Sequence, residues 1–159
     1  MEQSKRKTNR LTEYDYSQNG AYFITVCTEN RKRLFWENVG AIIDRPENVP
    51  LSRLGKIVHQ SIENIPKHYS AITVDRFAIM PDHIHLLLQI HTDSYGRSVI
   101  APTISTVVRQ MKGAVTKEAG FSLWQKGFYD HVIRNQKDYD EVWEYIENNP
   151  LKYALKKAP

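Results

Sequence analysis

The sequence predicts an α+β fold of the ferredoxin-like, split βαβ kind: a four-stranded antiparallel sheet with helices on one face, plus a C-terminal helix. Three observations lead there. Strand-like and helix-like apolar patterns follow one another in the order strand, helix, strand, strand, helix, strand, helix. Only Pro81 and Asp82 separate the two middle strands, which makes them a hairpin. The first six elements then have the split βαβ order, in which two helices cover one sheet face and the other stays open.

Each element has its own justification. The first strand is "GAYFITVCT" (20–28), rich in β-branched and aromatic residues. A polar, basic turn follows, and then an irregular stretch to Pro50 broken by Gly40 and Pro46. From Leu51 the residues Leu51, Leu54, Val58, Ile62 and Ile65 recur at helical spacing, and Pro66 is expected to stop them. "AITVDRFAIM" (71–80) and "HIHLLLQI" (83–90) form the hairpin, and a loop runs from 91 to 102. The second helix starts near Thr103, carries Ile104, Val107, Val108, Met111, Ala114 and Val115 on one stripe, and ends before Gly120. "FYDHVIRN" (128–135) is the fourth strand. The last helix runs from about Lys137 to Asn149 and Pro150, since the residue before a proline is pushed out of helical geometry.

At 159 residues the chain has the length of one domain, read as 20–159 behind a basic N-terminal arm, 1–19. The arm's first ten residues carry Lys5, Arg6, Lys7 and Arg10 against the single carboxylate Glu2, while the rest of the chain after them is nearly neutral. Such an arm orders on a polyanion, or remains a solvated leader. The N-terminus lacks the apolar core of a signal peptide and no run is long enough to span a membrane, so a cytoplasmic protein is expected. The single cysteine, Cys27, makes no intramolecular disulfide and by itself no thiolate metal site.

The chemistry is concentrated in "MPDHIHLLLQIH" (80–91). Side chains alternate along a strand, so His83, His85, Leu87 and Gln89 face one way and Ile84, Leu86, Leu88 and Ile90 the other. The aliphatic side belongs under the helices. Both imidazoles then project from the open face about 7 Å apart at Cβ, within reach of one cation. A cation needs further ligands, and the last helix is the place to look. There Tyr139, Val142, Trp143 and Ile146 form the packing stripe, whereas Tyr145 and Asn149 lie one turn apart on its flank. That arrangement suits a nucleophile beside a ligating amide oxygen; a plain surface tyrosine fits it as well.

"PDHIHLL" followed by "YIENNP" resembles the single-tyrosine HUH transposases, named for histidine, hydrophobe, histidine. The run of "MPDHIHLL", "LWQKGFYDHVIRN" and "YIENNP" is similar to the REP-associated branch across residues 20–153. The resemblance implies that His83 and His85 hold a divalent cation, Mg2+ or Mn2+, and that Tyr145 is the nucleophile. Insertion-sequence relatives use a glutamine four residues after the tyrosine as third ligand; Asn149, one methylene shorter, stands there. The implied reaction is cleavage and rejoining of single-stranded DNA through a 5′-phosphotyrosine, on hairpins of REP repeats or insertion-sequence ends, by a monomer or a homodimer.

Candidates for phosphate contact are Arg6 and Arg10 in the arm, Arg31, Lys32 and Arg33 after the first strand, Arg109 and Lys112 on the second helix, and Lys126 and Arg134 around the fourth strand. Trp124, Phe128 and Tyr129 are candidates for stacking on unpaired bases. His131 is expected to bond to backbone, and His59, His68 and His91 to lie at the surface. Histidine-triad nucleotide hydrolases also begin from His, hydrophobe, His on a strand, but need a third histidine where this chain has Leu87. The remaining rival is a domesticated module that binds DNA hairpins without cutting.

Overall fold

The computed structural model describes residues 20–37, 49–91 and 103–157. The basic arm with Arg6 and Arg10, the stretch around Gly40 and Pro46, and positions 92–102 lie outside the described residues. The elements are β1 (Gly20–Cys27), a short turn (Glu29–Arg31), α1 (Arg53–Glu63), α2 (Ile65–His68), β2 (Ile72–Ile79), β3 (His83–Ile90), α3 (Ile104–Ala119), β4 (Tyr129–Val132) and α4 (Gln136–Lys157). The strands form one antiparallel sheet in the order β2-β3-β1-β4, as the split βαβ reading requires.

One sheet face builds the core under α1 and α3. Tyr22, Ile24 and Val26 of β1 and Ile84, Leu86, Leu88 and Ile90 of β3 are fully buried there, against Val58 and Ile62 of α1 and Ile104, Val107, Val108, Met111 and Val115 of α3. Both helices are capped as their sequences suggest. Ser52 Oγ accepts from Gly55 N and Thr103 Oγ1 from Thr106 N, and Gly120 closes α3 with φ 90°, a conformation that favours glycine. Among the described residues no helix is long and apolar enough to cross a membrane.

Both proline expectations need correction. Pro66 does not end helical geometry: the chain breaks at Asn64 and restarts as α2 with the proline in its first turn, where no N–H is needed. Pro150 does not end the last helix either, since α4 runs through it to Lys157. An interior proline removes one backbone bond, at a cost of about 3 kcal/mol. Packing on both sides offsets this: Pro150 and Ile146 are buried, and beyond them the Tyr153 ring meets Trp36 edge-on at 5.5 Å. β4 is shorter than 128–135, although Ile133 N still donates to Ala21 O at 2.9 Å.

Two helical glycines should respond oppositely to alanine. A Cβ on Gly55 would run into the backbone carbonyl of Phe35, whereas one on Gly113 would meet nothing within 4 Å. Propensity alone stabilises both substitutions by about 1 kcal/mol. Chemical denaturation should therefore find Gly113→Ala more stable by roughly 0.5–1 kcal/mol, and Gly55→Ala less stable by about 1–3 kcal/mol.

Candidate active site

The second sheet face is not left open. Helix α4 lies across it, against the edge strand β2 and the neighbouring β3. A bulge in β2 prepares the seat: pairing with β3 slips between Val74 and Arg76, leaving Asp75 as the extra residue. Asp75 Oδ1 accepts from the Thr73 hydroxyl at 2.8 Å, and Oδ2 accepts from the Tyr139 hydroxyl of α4 at 2.6 Å. Next along β2, the Arg76 guanidinium stacks over Trp143 at 5.1 Å and approaches Glu147 at 3.4 Å. At its start α4 is fixed by Asn135 Oδ1, which accepts from Asp138 N at 2.9 Å. Asp138 in turn takes His131 Nε2 at 2.8 Å, so His131 bonds a carboxylate rather than the backbone.

Under this helix the two histidines sit as the alternation predicts, with a different exposure. His83 is partly buried and His85 only 4% exposed, its ring 4.8 Å from that of His83. Each Nδ1 has a partner. His83 Nδ1 lies 2.7 Å from Asp82 Oδ1, and His85 Nδ1 lies 3.0 Å from Thr25 Oγ1, its cross-strand neighbour. A carboxylate only accepts, so His83 carries its proton on Nδ1 and leaves the Nε2 lone pair free. Arg31 Nη2, 3.3 Å from the same Nδ1, is then a cation beside a donor, held in place by Asp82 at 3.3 Å from both its Nε and Nη2. Among the described residues His85 Nε2, though buried, has no hydrogen-bond partner.

The electrostatics keep both rings neutral at neutral pH. Burial pulls His83 below its ordinary value, although the Asp82 carboxylate pulls the other way. Burial, with His83 and Arg31 adding to it, pushes His85 down to about 3. Burial by itself raises the Asp82 carboxyl, but hydrogen bonds from His83 and Arg31 outweigh it and hold the group below the usual carboxylate range. Two neutral imidazoles, each with Nδ1 engaged and the first backed by a carboxylate, are residues that could hold a metal ion. Among the described residues no third His, Cys, Asp or Glu joins them.

Tyr145 comes to this pair within the same chain. Its ring is 50% exposed and meets His85 at 5.5 Å and Phe23 at 5.9 Å, both edge-on, while Phe23 tilts against His85 at 5.2 Å. Asn149 is half-buried one turn further along the same flank of α4. The anticipated cations separate into groups. Arg31 reaches the histidines, and Lys32, Arg33, Arg109, Lys126 and Arg134 are exposed. Lys112 is already engaged, with Nζ donating to Gln125 O at 2.9 Å and Gly127 O at 3.0 Å. The expectation of stacking fails for Trp124, which is 8% exposed and packs on Phe35, and for Phe128, which is buried; Tyr129, at 49%, keeps an open ring.

Sequence reasoning missed Thr25, Phe23, Asp75 and Asp82 as parts of this site. Asp82 had a signal, a carboxylate one residue before the first histidine. The other three depend on strand register and a bulge, which no local pattern reveals.

Comparisons with known proteins bear on the family and the fold. The sequence pattern of a family described as "Transposase IS200 like" matches residues 16–149. A Haemophilus influenzae protein described as uncharacterised is 36% identical over 165 residues, covering 92% of this chain and 88% of its own. The REP-associated tyrosine transposase of Escherichia coli is 24% identical over 140 residues, covering 87% of this chain and 71% of its own. A solved REP-associated tyrosine transposase bound to a REP hairpin matches with a TM-score of 0.64 at 23% identity, over 90% of this chain and 74% of that one; this likeness shows the fold.

The hydrogen bond that seats α4 has a pH signature. Burial, then the bond to Asp75 and its charge, raise the Tyr139 phenol to about 12. A raised value in the folded state means that the stabilisation is complete below the unfolded value near 10 and fades as pH rises towards 12. Tyr139→Phe should thus cost about 1 kcal/mol at neutral pH. The gap between the two proteins in thermal or urea unfolding should narrow from pH 10 to 12.

Proposed function

The chain belongs to the IS200-like transposase family, and on that premise we propose that it is a single-tyrosine DNA nickase and strand transferase. It acts on single-stranded DNA that carries a hairpin, of the REP or insertion-sequence-end kind. The observation that carries the proposal is the buried, unpartnered Nε2 of His85 beneath the half-exposed Tyr145 ring. The hairpin named for the solved relative supports the substrate class.

In this reading Tyr145 Oη attacks the scissile phosphorus. The Oη–P bond forms, the P–O3′ bond breaks, the phenolic proton is lost and the departing 3′-oxygen gains one. The product is a 5′-phosphotyrosine and a free 3′-hydroxyl, which reverses the step when it, or another 3′-hydroxyl, attacks the same phosphorus. Because the phosphodiester is conserved as a covalent bond to the protein, rejoining needs no nucleotide triphosphate.

His83 and His85 would hold a divalent cation, Mg2+ or Mn2+, with Asn149, one turn beyond Tyr145 on the same helix, as the candidate amide donor. When bound, such a cation supplies charge neutralisation at the phosphate and stabilises the charge that develops in the transition state. The chain's own residues do the rest. Asp82 fixes the His83 tautomer, Thr25 Oγ1 holds His85 at Nδ1, and Phe23 props the Tyr145 ring against His85. Lys32, Arg33, Arg109 and Arg134, with Arg6 and Arg10 of the arm, are the candidate backbone contacts, and Tyr129 is the open stacking platform. The packing of α4 onto its own sheet favours a site completed within one chain, by a monomer or by each subunit of a homodimer.

The test is adduct formation. With a labelled hairpin-bearing single strand and Mn2+ or Mg2+, the wild-type protein should give a covalent protein–DNA band on a denaturing gel, and Tyr145→Phe none. A Tyr145→Phe band equal to wild type would refute the nucleophile assignment. No band from the wild type with either metal would favour the binding-only module. Asp82→Leu should lower metal affinity, read by calorimetry, about 10- to 100-fold, while Asp82→Asn, which still accepts from Nδ1–H, should retain most of it.

A further inference from the structure

The turn after β1 is built against local preference. Asn30 and Arg31 have φ of 58° and 53°, two consecutive non-glycine residues in the left-handed region. Such backbone costs about 1–3 kcal/mol per residue and persists only where its surroundings over-determine it. Here they do. Thr28 is fully buried, its one Oγ1 proton shared between Lys32 O at 2.8 Å and Asp82 O at 3.1 Å, while its N–H donates to Asp82 O at 3.0 Å. The consequence is the placing of one side chain. Arg31 is held by Asp82 on one side, and its other side lines a cleft of about 710 Å³.

The cleft's second wall, residues 122–127, is tied just as firmly. Glu29 N donates to Leu123 O and Gln125 N to Cys27 O, each at 2.9 Å. Lys112 from α3 holds Gln125 O and Gly127 O, and Gly127 turns the chain with φ 77°. Among the described lining residues the cations are Arg31, Lys112 and Lys126 and the carboxylate is Glu29; Arg31 is also paired with Asp82 behind it, which leaves Lys126 as the unengaged charge. Lys126 is exposed and free of the bonds that occupy Lys112. Two pre-set walls with an anchored guanidinium at the end nearest His83 make a groove for a polyanion that passes the histidines.

We propose that this cleft binds the phosphate backbone of the single strand on the 5′ side of the scissile bond, the strand that departs with the free 3′-hydroxyl. The inference deepens the proposed function and rests on it for direction. Displacement at phosphorus is in line, so the leaving oxygen lies opposite the attacking one. Tyr145 packs at the His85 end of the pair and Arg31 at the His83 end, so the departing strand is directed towards Arg31 and on to Lys126. Retaining that strand keeps its 3′-hydroxyl close for rejoining.

Two measurements test the cleft and the chemistry separately. The first is affinity for an unstructured single strand, by fluorescence anisotropy across a salt series, in the Tyr145→Phe background. Adding Lys126→Glu should weaken binding about tenfold and reduce the salt slope by about one, Lys126→Gln should do less, and Lys126→Arg should leave both unchanged. The second measurement follows the 5′ fragment after nicking on a native gel. It should stay with the wild-type adduct and be released from the Lys126→Glu adduct. Unchanged affinity and salt slope in Lys126→Glu overturn the cleft, whatever the adduct does. A retained 5′ fragment in Lys126→Glu overturns its assignment to the departing strand. A wild type that forms no adduct, with the Lys126 effect on affinity intact, sinks the catalytic reading and leaves the phosphate cleft standing.

Discussion

Closure of the second sheet face by α4 is the constraint on which the site depends. A ferredoxin-like sheet with two helices leaves one face wet, and imidazoles there would titrate near their ordinary values. With α4 across it, His85 is buried and stays neutral far below physiological pH. The same helix brings Tyr145 to that ring, so desolvation of the histidine and placement of the phenol are one packing event. This is why β2 tolerates a bulge at Asp75: the irregular residue supplies the carboxylate that seats the helix. It also accounts for a proline inside α4, since the helix must continue to bring Tyr153 onto Trp36.

Much of the fold could be read from periodicity because the core face is built from it. The alternation in "HIHLLLQI" assigned Ile84, Leu86, Leu88 and Ile90 to the helix-covered core, and all four are fully buried. The apolar stripe of the second helix marked α3 to within a residue, because Thr103 and Gly120 are strong local signals at its ends. Element order then determined the sheet order, since few topologies fit such a sequence of elements. The helical phase that put Tyr145 and Asn149 beside the packing stripe likewise held: Val142 and Ile146 are buried while Tyr145 is half exposed.

What sequence reading did not supply depends on contacts between distant segments. An aromatic beside a strand reads the same whether it is open or covered, and Trp124 is covered by Phe35 from a segment nearly a domain away. Leu87 looked outward by alternation yet is fully buried, because the face it occupies is roofed by α4. Lys112 looked like a solvated helix lysine, but the turn that follows α3 folds back and presents two carbonyls to it. Prolines are breakers by local rule, and both Pro66 and Pro150 lie where tertiary packing or first-turn placement overrides that rule.

The site's polar groups are satisfied from one side only. Behind the rings, Asp82 and Thr25 engage both Nδ1 atoms, and Asp82 also steadies Arg31. In front, His85 Nε2 has no partner among the described residues despite its burial. An unmet buried polar group costs about 1–3 kcal/mol, and a chain concerned with stability alone could remove it by placing an aliphatic residue there, as it does at Leu87 two positions on. The turn at Asn30 and Arg31 carries a cost of the same kind, in backbone strain rather than desolvation. One residue, Asp82, joins the two regions: its carboxylate contacts His83, the neighbour of His85, and Arg31 in the strained turn, and its carbonyl receives Thr28. That convergence is the physical case for treating the histidine pair and the basic cleft as parts of one site. Asp82 thereby keeps His83 Nε2 unprotonated and holds the Arg31 cation beside that ring, one residue serving both.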